Sequence, residues 1–87
     1  MDTNENHRKR IRLCNRIREE EEYLEMYEKL IDDLSGTDKA EIRITTTVGG
    51  QQATVKMGAE TGKDFLTYMW EISFARLDEL KNRLAEI

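Results

Sequence analysis

Proline is absent from the 87 residues, histidine, tryptophan and cysteine occur once each, and glycine occurs five times. Each scarcity excludes something. A single cysteine, Cys14, cannot close an intrachain disulfide, so the fold has no covalent staple of its own. A domain this small without disulfides is expected in a reducing compartment, and the protein is read as cytoplasmic. His7 and Cys14 stand seven positions apart, two helical turns and roughly 10 Å, which is a poor start for a metal site. No metal and no cofactor is expected. No stretch has the apolar run of a membrane span or signal peptide, and residues 2 to 8 read Asp-Thr-Asn-Glu-Asn-His-Arg. No Gly-rich phosphate loop follows a strand, and no nucleophile, base and orienting group are in view. Catalysis is therefore not expected.

What remains is polar but patterned. Hydrophobic residues make up 38% and charged residues 37%, with a formal charge of −4. That balance gives no general pull towards nucleic acid or anionic membrane. The length suits one domain, residues 1–87, that buries only about 60–65% of the surface of its unfolded chain, so its core is thin.

The spacing of apolar residues predicts a helix over 3–34. Leu13, Ile17, Leu24, Tyr27, Ile31 and Leu34 recur on one side, and neither proline nor glycine interrupts them. Asp2 with Glu5 forms a candidate N-terminal capping pair, and Gly36 a stop signal. Residues 41–57 predict a β-hairpin turning at Gly49-Gly50, two glycines that supply the positive φ of a tight turn. Folding there places Ile42, Ile44, Val48, Ala53, Val55 and Met57 on one face. A slip of one residue would scramble that sorting, so the register is well specified. A second helix is predicted over 62–87, capped by Thr61 with Asp64. It carries Leu66, Trp70, Leu77, Leu80, Leu84 and Ile87 at alternating four and three spacing, with Ser73 in the missing step. That is a heptad seam of coiled-coil type. The expected fold class is α+β, ordered helix, two-stranded antiparallel hairpin, helix (αββα), in two layers.

These parts imply self-association. An isolated hairpin is marginal and leaves both edges unpaired, and the helices outreach the strands. A homodimer or higher symmetric oligomer, joined through helices or a sheet edge, would supply the missing cover. Ile17, Leu24, Ile31, Trp70, Leu77, Leu80 and Leu84 are the expected core or oligomer seam.

Three surfaces are candidate sites. Arg8, Lys9, Arg10, Arg12, Arg16 and Arg18 put six cations into 11 residues without a carboxylate. Arginine favours bidentate phosphate or carboxylate contacts, so this end of the helix is a candidate anion or nucleic-acid contact. The alternative is charge pairing, either along the helix as Arg16 to Glu20, Arg18 to Glu22 and Glu25 to Lys29, or with a second copy laid antiparallel. Residues 19–34 carry eight carboxylates against Lys29. There Glu20, Glu21, Glu25 and Glu28 form a candidate acidic docking face. On the hairpin, Arg43, Thr45, Thr47, Thr54 and Lys56 share the polar face, and the like charges of Arg43 and Lys56 fall opposite one another.

The functional expectation is a non-enzymatic oligomeric binding protein that docks on or blocks another macromolecule through its acidic face. Its size, acidity and lack of catalytic motifs suit an accessory or inhibitor protein of the kind phages and mobile elements carry. The alternatives are binding of nucleic acid or a phosphorylated nucleotide at the arginine-rich end, and a purely structural assembly component. The expected partners are itself and an unidentified protein, with nucleic acid or nucleotide as the alternative and no membrane.

Overall fold

The computed structural model describes residues 3–87. Its elements are α1 (Thr3–Ser35), β1 (Glu41–Val48), β2 (Gln51–Gly58) and α2 (Ala59–Ala85). This is the α+β order of helix, antiparallel hairpin and helix expected from the spacing of apolar residues. Asp2, half of the anticipated capping pair of α1, lies outside the described residues.

The two helices run antiparallel. Three cross-links fix the stagger in reverse order along the pair: Arg10 Nη2 donates to the Ile87 main-chain oxygen at 2.9 Å, Arg76 Nη1 stands 3.9 Å from Glu20 Oε1, and Trp70 Nε1 donates to Glu28 Oε1 at 3.1 Å. Between them the apolar seams meet. Leu34, Leu66, Leu77 and Leu80 are buried, while Leu13, Ile17, Leu24, Tyr27, Ile31, Trp70, Leu84 and Ile87 are half-buried. The expected seam therefore serves packing within the chain. Among the described residues no side chain is wholly sealed from solvent, so the core is a zipper between two helices.

The hairpin follows the pairing read from its alternation, with Ile42 opposite Met57, Ile44 opposite Val55 and Val48 opposite Gln51. Gly49 and Gly50 take φ of +56° and +82°, the paired positive angles of a two-residue turn that matches strand twist. The hairpin rests on α2 alone; no contact with α1 is formed among the described residues. β2 passes into α2 without a loop, Gly58 standing extended as the residue before the helix. The anchor is Ile42, whose Cδ1 lies 2.6 Å from where a Cβ on the buried Gly62 would sit. Only the base of the apolar strand face is covered. Val55 is 59% exposed and Val48, at the tip, 76%.

Three local expectations are corrected. α2 begins at Ala59 rather than near 62, so Thr61 lies inside the helix and caps nothing; the helix has no side-chain cap. Gly36 follows α1 but does not adopt a left-handed conformation. The chain turns there through the Thr37 N–H on the Leu34 carbonyl, at 3.5 Å, and the Thr37 hydroxyl accepts the Lys39 N–H. Of the ion pairs expected along α1, none forms. The pairs present along helices are Lys9 with Glu5 and Arg83 with Glu79.

The molecule is flat and open. Its extents are 56 × 34 × 14 Å and its radius of gyration is 17.3 Å, against about 12 Å for a compact chain of this length.

Candidate functional site

The seam positions of α1 step by four and three, and they give the helix pair two distinguishable flanks. Residues just before a seam position fall on one flank, and residues just after it on the other. The first flank of α1 carries Lys9, Arg12 and Arg16 towards its N-terminus. Together with Leu13, Arg83, Glu86 and Ile87 they line a groove of about 680 Å³ between the start of α1 and the end of α2. Arg83 and Glu86 themselves precede seam positions of α2, so the first flanks of both helices lie on the same side. Arg12 and Arg16 have no ion-pair partner among the described residues, whereas Arg83 is held by Glu79 at 2.6 Å and Lys9 by Glu5 at 3.6 Å.

The six basic residues do not form one patch. Lys9, Arg12 and Arg16 share the groove. Arg10 binds the Ile87 main-chain oxygen and borders a smaller hollow with Thr3, Asn6 and His7. Arg8 and Arg18 point elsewhere around the helix. A segment that is uniformly basic in sequence is thus dispersed by the 3.6-residue turn.

The acidic set is corrected at Glu20. Glu21, Glu25 and Glu28 are exposed on the second flank, but Glu20 is only 6% exposed and sits in the seam itself. Its Oε2 has no hydrogen-bond partner and is buried, and its Oε1 has only the long contact to Arg76. Glu20 therefore cannot belong to a docking face. The signal was present in the sequence: Leu13, Ile17 and Leu24 leave position 20 as the next seam step. Glu28 has a local duty, accepting the indole N–H of Trp70, whose ring stacks on Phe74 at 5.2 Å.

On the hairpin, Arg43, Thr45, Thr47, Thr54 and Lys56 are all exposed, and the Thr45 and Thr54 hydroxyls meet at 3.0 Å. Arg43 and Lys56 do stand opposite one another. Their repulsion is answered within the strand, because Arg43 Nε donates to Glu41 Oε1 at 2.6 Å. That bond, the Arg43 charge and the more distant Lys56 hold the Glu41 carboxyl below its ordinary pKa. No external anion is required to explain the arrangement.

The spacing of apolar residues marks Tyr23 and Leu30 as widening the stripe of α1, and Phe65, Met69 and Ile72 that of α2, but it did not single out Met26 or show that this widening leaves an exposed apolar flank. Tyr23 (46% exposed), Met26 (54%) and Leu30 on α1 precede seam positions, as do the half-buried Phe65, Met69 and Ile72 on α2. They continue the basic groove towards the hairpin, whose anchor Gly62 precedes a seam position too. Among the described residues no three potential metal-binding side chains come together. No helix is long and apolar enough to cross a membrane. Comparison with protein families, curated proteins and solved structures finds no match.

Proposed function

We propose that the chain is a non-catalytic binding protein that works as a homodimer or higher symmetric oligomer and docks on another macromolecule. The observation that carries this reading is exposed area. The chain presents 7037 Å² for a mass of 10.2 kDa, whereas a compact monomer of that mass presents about 5,300 Å². The surplus of about 1,700 Å² falls within the 1,000–2,500 Å² or so that each subunit of an obligate dimer buries. The open outline, the uncovered strand face and the exposed apolar helix residues support the same reading. The lone cysteine supports a reducing, cytoplasmic setting.

The exposed carboxylates of the second flank, Glu21, Glu25 and Glu28 with Glu71 and Asp78 of α2, are the docking surface in this reading. Opposite charge on a partner would steer and orient it there. Blocking a basic groove of a larger complex is the action such a face suits.

The test is a native mass spectrum of protein purified without denaturant. A multiple of the 10.2 kDa chain is expected; a single-chain mass across the micromolar range would overturn the oligomer. A second reading is favoured by the unpartnered Arg12 and Arg16 in the groove. In it the groove takes nucleic acid or a phosphorylated nucleotide, and added mass of nucleotide size with a steep fall in affinity on raising salt would establish it.

A further inference from the structure

The first flank of α1 has a polarity along its length. Lys9, Arg12 and Arg16 lie at one end, the exposed Glu19 follows, then Tyr23, Met26 and Leu30, and Asp33 closes the other end. Arg12 and Asp33 are exposed, and neither has an ion-pair partner among the described residues. They cannot reach each other within the chain, since 21 residues of helix separate them by about 32 Å. Read in opposite directions, the basic and acidic ends of the strip are complementary, with Glu19 falling opposite Met26, and the pair Arg12 and Asp33 is centred near Tyr23.

We propose that a second copy of this chain covers this flank, with the two α1 helices antiparallel about a two-fold axis near Tyr23. In that arrangement Arg12 of each chain meets Asp33 of the other. The aliphatic stem of Arg16 lies over Leu30 of the other copy, as arginine stems do on apolar surface. Tyr23 and Met26 pack across the axis, and Phe65, Met69 and Ile72 of α2 widen the apolar centre. A two-fold axis makes every such contact occur twice, so a modest charge pair is doubled. The inference rests on the oligomer reading above and specifies its interface.

The choice of flank follows from what the other one lacks. On the second flank Phe74 is the one large exposed apolar residue among those described on the helices' central portion, and it already stacks on Trp70. The flank carries Glu21, Glu25, Glu28, Glu71 and Asp78 against Arg18 and Lys81, and two such net-acidic flanks laid together would repel. Pairing through the first flank leaves the acidic one facing outward on both copies, where a basic partner reaches it.

The experiment is sedimentation equilibrium on four chains: the wild type, Met26→Asp, Arg12→Glu, and the double reversal Arg12→Glu with Asp33→Arg. Far-UV circular dichroism reports whether each keeps its helices; all three positions are exposed, so the fold is expected to survive. The wild type assembles. Met26→Asp and Arg12→Glu each raise the dissociation constant about a hundredfold, as burying a charge or opposing like charges at an interface does. The double reversal restores assembly to within about threefold of wild type, because the swapped charges again oppose each other in trans. A wild type that stays single overturns the oligomer reading itself. A wild type that assembles while all variants assemble equally well keeps that reading and overturns this interface. Single variants that weaken assembly without recovery in the double reversal overturn the antiparallel pairing.

Discussion

Glu20→Leu should make this protein more stable, and the amount follows from the seam. Glu20 is 6% exposed at a seam position, and Oε2 has no partner. A buried acceptor left unsatisfied costs about 1–3 kcal/mol. Its Arg76 contact is 3.9 Å long, and the Arg76 side chain is 58% exposed; such pairs are worth at most about 1 kcal/mol. Leucine in the same slot adds an apolar side chain to the zipper, worth about 1.5–3 kcal/mol when buried. Low ends of the two gains, less the lost ion contact and some misfit of shape, leave a net stabilisation of about 1 kcal/mol. For a domain of this size that is a rise of about 5 °C in thermal midpoint. Glu20→Gln is the control. It removes the charge but keeps a polar group in the seam, so it should stay within about 0.5 kcal/mol of wild type. Thermal and urea unfolding followed at 222 nm measure both. A leucine variant less stable than wild type would refute the reasoning, since it would mean that the carboxylate has a partner the isolated chain does not show.

Leu80→Ala, at a seam position only 3% exposed, should cost about 3 kcal/mol, read from the urea midpoint. Gly62→Ala places a Cβ 2.6 Å from Ile42 Cδ1 and 3.0 Å from its Cγ1. The overpacking should outweigh the helix-propensity gain by about 1 kcal/mol, and Ile42→Val in the same chain should recover it by the same assay. Arg43→Ala should return the Glu41 pKa upward to the ordinary glutamate range, because the Arg43 hydrogen bond is the main cause of its depression. The folded value lies below the unfolded one, so the wild-type contribution is present above the unfolded pKa and fades as pH falls through the folded value. An NMR titration of the Glu41 carboxyl in both chains checks this.

The elements were legible wherever a period met a turn signal. Alternation from Ile42 to Met57 around Gly49-Gly50 admitted one register, and that register forms. The four-and-three steps of Leu66, Trp70, Ser73 and Leu77 likewise named the buried side of α2. The same periodicity does not carry the stagger of one helix on the other, because a seam slid by one heptad buries the same residue types. Arg83 beside Arg16 was hidden for that reason, and with it the groove. The start of α2 was misplaced because Thr61 looked like a cap; Ala59 and Glu60 are good helix formers, and with β2 leading straight in, the helix starts as soon as Gly58 leaves the sheet. The i,i+4 pairs failed for an energetic reason. Exposed pairs gain a few tenths of a kcal/mol, too little to hold Arg16 or Arg18 against solvent and rotamer freedom.

The thin seam and the open surface have a joint consequence for folding. Four buried leucines hold the helices together, and the hairpin adds one anchor at Gly62. A monomer so built sits near the lower end of domain stability, about 5 kcal/mol. Covering the first flank in a second copy adds to the folded side alone, because the unfolded chain has no such face. Stability and assembly are then one equilibrium, and the thermal midpoint must depend on protein concentration. For a dimer, a tenfold rise in concentration shifts the balance by about 1.4 kcal/mol. With the unfolding entropy typical of two chains of this length, that is about 4 °C per decade. Midpoints at total concentrations a hundredfold apart should therefore differ by about 7–8 °C. Met26→Asp, which removes the apolar centre of the proposed interface, should flatten the dependence. A wild-type midpoint that does not move would mean that the helix zipper and hairpin anchor suffice alone, and that the exposed apolar flank awaits a different partner.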